Sequence, residues 1–222
     1  HFNQNGGDVR HSCDGDADVL DGGILTVKTM NENGGVEIRD NRDGSVYAIT
    51  PEVRADDGDV WSFNTCGFGD ALEPFTPISA ARTESGDIKN VVRTRFGFRS
   101  SKMEQRITVY PGRDYVDIAY RVDWDEPHTA LKYRITTPSA PDRIVAGVPG
   151  GLCERGFDGE EYPLSETIEL GDITVMADSI FAYNTDKDTE TAALTLLRNP
   201  VCGDLRMDDP LREDEDYLYV GR

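Results

Sequence analysis

Apolar and polar residues alternate along most of this chain, with the two-residue period of a half-buried β-strand rather than the 3.6-residue period of a helix. In residues 114–124, five large residues would share one face: Val116, Ile118, Tyr120, Val122 and Trp124. The residues between them, from Asp117 to Asp123, are mostly charged. This segment is therefore predicted to be a strand with one buried face and one solvated face.

The same pattern predicts a series of further strands, at 24–30, 35–40, 45–50, 60–63, 88–98, 102–110, 129–136, 172–178, 179–184 and 191–198. In 129–136, Leu131, Tyr133 and Ile135 would point inward. Only 191–198 resembles a helix, but it is short, lacks a strong N-cap and ends before Asn-Pro, so a strand is preferred. Residues 65–87, rich in Gly, Pro and Ser, are predicted to be the longest loop.

Short strands separated by Gly, Pro, Asn and Asp indicate an all-β fold, a large antiparallel β-sandwich with few or no helices. The 222 residues suffice for one large all-β domain with a real core. We therefore predict a single sandwich domain over residues 1–222, in which residues 1–20 are a disordered segment or a linker.

The charge and the cysteines narrow the class of protein. The net charge is −19, which repels phosphate backbones and anionic membranes, so neither nucleic acid nor a membrane is an expected partner. No apolar run is long enough for a transmembrane helix, and the N-terminus has no signal-peptide pattern. Four widely spaced cysteines without a C-x-x-C pair (Cys13, Cys66, Cys153 and Cys202) are typical of a reducing compartment. A bacterial or archaeal cytoplasm is therefore expected.

Several motifs that carry chemistry elsewhere are incomplete here. The histidines are His1, His11 and His128, and no G-x-S-x-G elbow accompanies them, so a nucleophilic triad is poorly supported. Residues 67–72 contain two of the three glycines of a dinucleotide fingerprint, without its strand-to-helix setting. The abundant carboxylates are compatible with a glycosidase pair, but the sequence does not select one.

Three aspartates near the N-terminus, Asp14, Asp16 and Asp18, have calcium-loop spacing. Val19 replaces the glycine expected at the sixth position of such a loop, and Leu25 replaces the glutamate expected at the twelfth. A solvated acidic loop is therefore preferred to a calcium site.

Residues 121–135 contain the densest set of candidate metal ligands or acid/base groups: Asp123, Asp125, Glu126 and His128 around Trp124. Strand alternation places Asp123 and Trp124 on opposite faces, and Pro127 interrupts the ladder of hydrogen bonds. A metal would need three or four convergent ligands. We therefore predict two strands joined as a hairpin by a solvent-exposed charged turn, in which His128 bonds to Asp125 or Glu126.

The same stretch resembles the V-D-W-x-E-x-H-x-x-L-K segment of the C-terminal β-domain of glycoside hydrolase family 38, the α-mannosidases. The matching residues are Val122, Asp123, Trp124, Glu126, His128, Leu131 and Lys132. Residues 175–200 are similar to a second family segment, through Asp178, Tyr183, Leu194, Leu196, Leu197, Arg198 and Pro200. Ala177 departs from this segment, because the family often has Asn there. Residues 20–47 are similar to the strand that opens the family's domain, but Asp21 stands where Asn is usual.

The resemblance implies a β-supersandwich of the galactose-mutarotase-like kind within a retaining, zinc-dependent α-mannosidase. In that family the nucleophile and the zinc ligands belong to an N-terminal α/β domain and the region near the helical bundle that follows it. No residue of this chain matches them, so no catalytic residue, metal ligand or cofactor is assigned to it. The resemblance implies an internal fragment of a longer glycosidase, a non-catalytic domain that packs on and completes the catalytic domain of the same polypeptide, which acts on α-mannosides.

Such a domain can lend polar side chains to the sugar pocket, and Arg155 with Glu154 are the first candidates for a contact with substrate or with the catalytic domain. We expect them on a loop after a glycine-rich turn, where a guanidinium suits sugar hydroxyls or a carboxylate. A surface salt bridge is an equal alternative, with Asp158, Glu160 and Glu161 forming a charged loop. Whether the chain is itself an enzyme stays open. The alternatives are a free-standing sugar-binding or mutarotase-like module, the latter needing a His and Glu pair in a cleft, and a sandwich without sugar contact.

Overall fold

The structure is a computed structural model that describes residues 19–30, 32–56, 58, 68–186 and 191–200. These residues form sixteen β-strands and no helix. The strands are β1 Val19–Asp21, β2 Leu25–Met30, β3 Gly35–Asp40, β4 Val46–Ala55, β5 Thr76–Glu84, β6 Asn90–Phe98, β7 Ser101–Val109, β8 Val116–Asp123, β9 Thr129–Thr136, β10 Ile144–Val148, β11 Gly151–Arg155, β12 Glu161–Pro163, β13 Thr167–Leu170, β14 Ile173–Met176, β15 Ala182–Asp186 and β16 Thr191–Asn199.

The strands build one large sheet and two small ones. The large sheet has eight strands in the order β1-β2-β3-β4-β9-β16-β15-β12. The small sheets have four strands each, in the orders β5-β6-β7-β8 and β11-β10-β13-β14. Neighbouring strands are antiparallel, so the antiparallel all-β prediction is confirmed.

Both small sheets cover the same face of the large sheet. On β9, Leu131 and Tyr133 pack against Phe96 of the β5–β8 sheet, while Ile135 packs against Ile168 of the β10–β14 sheet. The inward direction predicted for Leu131, Tyr133 and Ile135 is therefore confirmed. Burial of this apolar face, at about 25 cal/mol per Å², drives the two layers together.

The predicted loop at 65–87 is wrong in its second half, because Thr76–Glu84 is strand β5. Its residues are almost all exposed, since β5 is an edge strand of its sheet, and an edge strand need not show apolar alternation. Strands β10 to β13 were also not predicted. They are only three to five residues long, too short to give a clear period.

The connection in residues 124–128 is not the predicted hairpin turn. Strand β8 pairs with β7 in a small sheet, whereas β9 pairs with β4 and β16 in the large sheet, so the segment crosses from one layer to the other. Trp124 is buried within this crossing, and its ring stacks on Phe98 with centroids 5.7 Å apart.

Some predictions fall on residues outside the described ranges. They concern the strand at 60–63, the calcium-type loop, His1 and His11, and three of the cysteines, Cys13, Cys66 and Cys202. The predicted linker is outside them up to position 18, while Val19 and Leu20 belong to β1. In the part of the chain that the structure describes, no helix is long and apolar enough to cross a membrane.

Candidate functional site

The face of the large sheet that the small sheets leave uncovered is polar at its centre. The register aligns Glu52 of β4 with Lys132 of β9 and Thr195 of β16 in one row. The next row aligns Arg134 with Ala193 and Asn184. Because side chains alternate across a strand, these residues lie on the face opposite Leu131 and Tyr133. We call this surface the polar face.

Lys132 and Glu161 form an ion pair in the middle of the polar face. The Lys132 Nζ lies 2.6 Å from Glu161 Oε2, and the two side chains are only 1% and 2% exposed. The Thr195 hydroxyl donates to the other carboxylate oxygen, and the ring of Phe68 lies 4.7 Å from the ammonium. Burial lowers the pKa of Lys132 to about 8, and the Glu161 carboxylate opposes part of that shift. The charged loop that was one alternative for Asp158, Glu160 and Glu161 is wrong for Glu161, which begins strand β12.

Arg198 fastens the segment that follows β4 to the polar face. Its Nε and Nη2 donate to the two oxygens of Asp56 over 2.7 and 2.8 Å, in the bidentate geometry that is strong for a guanidinium. Asp56 is buried, and the Phe68 ring lies 5.4 Å from the guanidinium carbon of Arg198. Phe68 thus contacts both cations, Lys132 and Arg198, which places it directly over the centre of the face.

A cleft of about 210 Å³ opens beside this buried pair, and we call it the β15 cleft. It is lined by Glu52, Arg54, Arg134, Gly159, Asn184, Thr185, Asp186, Thr191 and Ala193. The Arg54, Arg134 and Asp186 side chains are 27%, 29% and 37% exposed, so the cleft is accessible to solvent.

Glu52 organises the β15 cleft by joining its two arginines. Arg54 Nη1 donates to one Glu52 oxygen over 2.5 Å, and Arg134 Nε donates to the other over 2.9 Å. Burial acts to raise the pKa of Glu52, but the hydrogen bonds from both arginines outweigh it and hold that pKa below its ordinary value. The carboxylate is therefore ionised at neutral pH and is already engaged, which suits binding rather than general acid catalysis.

The matched motif residues of the 121–135 stretch have mostly structural contacts. Glu126 is buried and accepts hydrogen bonds from the Ser100 amide and from the amide and hydroxyl of Ser101, at 2.7 to 3.1 Å. Trp124 Nε1 donates to the Thr129 hydroxyl over 3.1 Å. Glu126 therefore binds β8 and β9 to the start of β7, contrary to the prediction of a solvent-exposed turn.

His128 is exposed and has a left-handed backbone, with φ of 57°. Its amide donates to the Asn199 carbonyl and its own carbonyl accepts from the Asp56 amide. The predicted bond from its ring to Asp125 or Glu126 is absent among the described residues. The β15 cleft has no histidine in its described lining, so the His and Glu pair of a mutarotase does not occur there.

Arg155 and Glu154 lie in strand β11 rather than on a loop, and they point to opposite faces of it. Glu154 is exposed on the outer face. Arg155 turns inward, where its guanidinium stacks 4.0 Å from the centre of the Tyr162 ring and its Nε donates to Cys153 Sγ over 3.4 Å. Neither residue lines the β15 cleft.

Three other matched polar residues are placed as follows: Asp123 lies at the exposed end of β8, Asp178 lies on an exposed bend before β15, and Tyr183 is wholly buried in the core. Burial raises the pKa of Tyr183 to about 12. Within the described ranges, no three His, Cys, Asp or Glu side chains come together in a way that would hold a metal ion. The described residues therefore offer no zinc site.

The sequence of this chain matches a known protein family. Residues 20–206 match the family described as the glycosyl hydrolases family 38 C-terminal domain. No curated protein matched the sequence.

Among solved structures, the fold is similar to a protein in glycosyl hydrolase family 38 from Enterococcus faecalis, with a TM-score of 0.69, 15% identity, and coverage of 83% of this chain and 27% of that one. It is also similar to an alpha-mannosidase from Enterococcus faecalis V583, with a TM-score of 0.71, 15% identity, and coverage of 85% and 26%. The chain thus spans about a quarter of the length of these proteins. With a family match over most of its residues, the chain belongs to the family of glycosyl hydrolase family 38 C-terminal domains.

Proposed function

We propose that this chain is the non-catalytic C-terminal β-domain of a retaining, zinc-dependent α-mannosidase that acts on α-mannosides in a bacterial or archaeal cytoplasm. In this proposal the zinc and the nucleophile belong to an N-terminal catalytic domain of the same polypeptide. The β-domain packs on that domain and completes it. The observation that carries the proposal is the family match over residues 20–206, together with the name of one structural neighbour, an alpha-mannosidase.

Two features of the described residues support a non-catalytic role. Three acidic side chains near the polar face are already engaged: Glu52, Asp56 and Glu161 each accept charge-assisted hydrogen bonds from a basic side chain. No set of metal donors is present in the described ranges. Carboxylates that already accept hydrogen bonds from basic side chains hold strands and segments in place, whereas a glycosidase needs one free nucleophile and one protonated acid.

The experiment is hydrolysis of 4-nitrophenyl α-mannoside by the intact polypeptide, with 4-nitrophenyl β-mannoside as the control substrate. We expect hydrolysis of the α-anomer with retention of configuration, observed by NMR of the first-formed sugar, and its loss after zinc chelation. Activity on other glycosides without any on α-mannosides would overturn the assignment, and chelator-resistant activity would overturn the zinc dependence.

A second candidate function is that of a carbohydrate-binding module. The accessible, polar β15 cleft favours it, while the absence of histidine from the described lining disfavours mutarotase chemistry. Saturable binding of mannose by a polypeptide that hydrolyses no glycoside would favour this second candidate.

A further inference from the structure

The described lining of the β15 cleft is balanced in charge, although the chain as a whole carries −19. Two acidic residues, Glu52 and Asp186, face two basic ones, Arg54 and Arg134. Both Glu52 oxygens already accept from arginines, and Asp186 lies 3.6 Å from Arg134. A bare cation or a phosphate would have to displace these internal pairs, so the cleft favours a ligand without net charge.

One acceptor in the cleft wall has no partner. The Asn184 Oδ1 is buried and makes no hydrogen bond within the described part of the chain. A buried acceptor left unpaired costs about 1–3 kcal/mol, so such an atom indicates a place where a donor belongs. A hydroxyl group supplies that donor and can also accept from the neighbouring arginines.

The groups that surround Asn184 are fixed in position. Arg134 is held by Glu52 on one side and by the Thr191 hydroxyl, at 3.2 Å, on the other. These residues stand on adjacent strands of the large sheet, so their geometry is set by the sheet and not by a loop. A rigid array that both donates and accepts hydrogen bonds suits a polyol whose hydroxyls do the same.

The size of the cleft limits the ligand further. Its volume of about 210 Å³ is below the roughly 300 Å³ at which sites for drug-sized ligands begin. Its described lining contains no aromatic side chain on which a sugar ring would stack. The fit is therefore to one sugar ring, held by hydrogen bonds with a dissociation constant on the order of 1 mM.

We infer that the β15 cleft is a binding subsite for one neutral hexose unit of the substrate, with Asn184 and Arg134 as its main hydrogen-bonding residues. The inference rests on the proposed function for the identity of the sugar, mannose, and on the cleft alone for the class of ligand.

The test is hydrogen exchange of the intact polypeptide, read by mass spectrometry, with increasing D-mannose. We expect slower exchange in peptides covering 182–186 and 191–199. In Asn184→Ala, the mannose concentration needed for half-maximal protection should rise roughly fivefold, as expected for the loss of one neutral hydrogen bond. Asn199→Ala is the matched control, because its Oδ1 is also buried without a partner in the described residues but lies outside the cleft.

Each outcome decides between the alternatives. If mannose gives no protection in the wild type, or equal protection in the wild type and Asn184→Ala, the cleft is not a sugar subsite. Water would then be the partner of Asn184. Equal protection by mannose 6-phosphate overturns the neutral class. Hydrolysis of 4-nitrophenyl α-mannoside by the same preparation separates the two proposals. Protection without hydrolysis would support the subsite and refute the proposed α-mannosidase function. Hydrolysis without protection would support the α-mannosidase function and refute the subsite.

Discussion

Replacing one member of the buried pair of Lys132 and Glu161 should strongly lower the stability of the fold. In Lys132→Met, the Glu161 carboxylate stays 2% exposed and loses the one cation that pairs with it among the described residues, while it keeps the hydrogen bond from the Thr195 hydroxyl. Removing one partner of such a pair costs about 3–5 kcal/mol, because the remaining charge cannot reach water. The contact of the ammonium with the Phe68 ring, at 4.7 Å, is lost as well. We therefore expect the free energy of unfolding of Lys132→Met to be about 4 kcal/mol below that of the wild type.

Urea unfolding of the chain, followed by tryptophan fluorescence, measures this loss. Adding Glu161→Gln to Lys132→Met removes the stranded charge and keeps an acceptor for Thr195, so the double variant should recover at least about 2 kcal/mol. Lys102→Met is the control, since Lys102 is exposed on β7 and its replacement should change stability by less than about 0.5 kcal/mol. A loss below about 1 kcal/mol in Lys132→Met, or strictly additive effects of the two substitutions, would refute the reasoning.

Three further predictions concern the same framework. Because hydrogen bonds from Arg54 and Arg134 hold the pKa of Glu52 below its ordinary value, the unfolded state binds more protons at acidic pH, so the stability that Glu52 contributes should be lost as the pH falls below that ordinary value. Urea midpoints between pH 6 and pH 3 should therefore fall less steeply in Glu52→Gln than in the wild type. Glu126→Ala should cost about 2–4 kcal/mol in the same unfolding assay, because the Ser101 amide and hydroxyl lose their acceptor, whereas the neighbouring exposed Asp125→Ala should cost under about 0.5 kcal/mol. Arg155→Lys should lower the unfolding temperature by a few degrees by weakening the stack on Tyr162 and leave KM for 4-nitrophenyl α-mannoside unchanged; a raised KM would show that Arg155 reaches the substrate.

The sequence predicted the long strands because one face of each is covered. On β8 and β9 the inward residues follow the period of two, and their directions are as expected. The edge strand β5 escaped detection because nearly all its residues are exposed, and an exposed edge carries no apolar alternation. The length and spacing of strands thus follow from local pattern only where a layer packs on them.

The polar face could not be predicted, because it depends on strand order. Glu52, Lys132 and Asn184 are far apart in the chain and meet only because β4, β9, β16 and β15 are neighbours in the large sheet. From the sequence, Lys132 and Glu161 each look like solvated charges. A hint was available in 129–136, where a lysine and an arginine alternate with apolar residues on a strand that turned out to be central, but its partners lie in distant segments.

The family motif lies in residues 121–135, and two of its charged residues, Glu126 and Lys132, have structural contacts. Glu126 binds the β7 start, and Lys132 binds Glu161 across two intervening strands. Arg155, chosen for an expected loop position, is instead packed against Tyr162. Local pattern identifies a residue type, whereas its role depends on which neighbours the topology supplies.

Complementation tests the proposal that this β-domain has no catalytic residues but completes an α-mannosidase. The measurement is kcat for 4-nitrophenyl α-mannoside with the intact polypeptide, with the polypeptide lacking residues 20–206, with this chain alone, and with the last two mixed. We predict full activity in the first, none in the second and third, and partial recovery on mixing. Hydrolysis by this chain alone, or unchanged activity without it, would contradict the account.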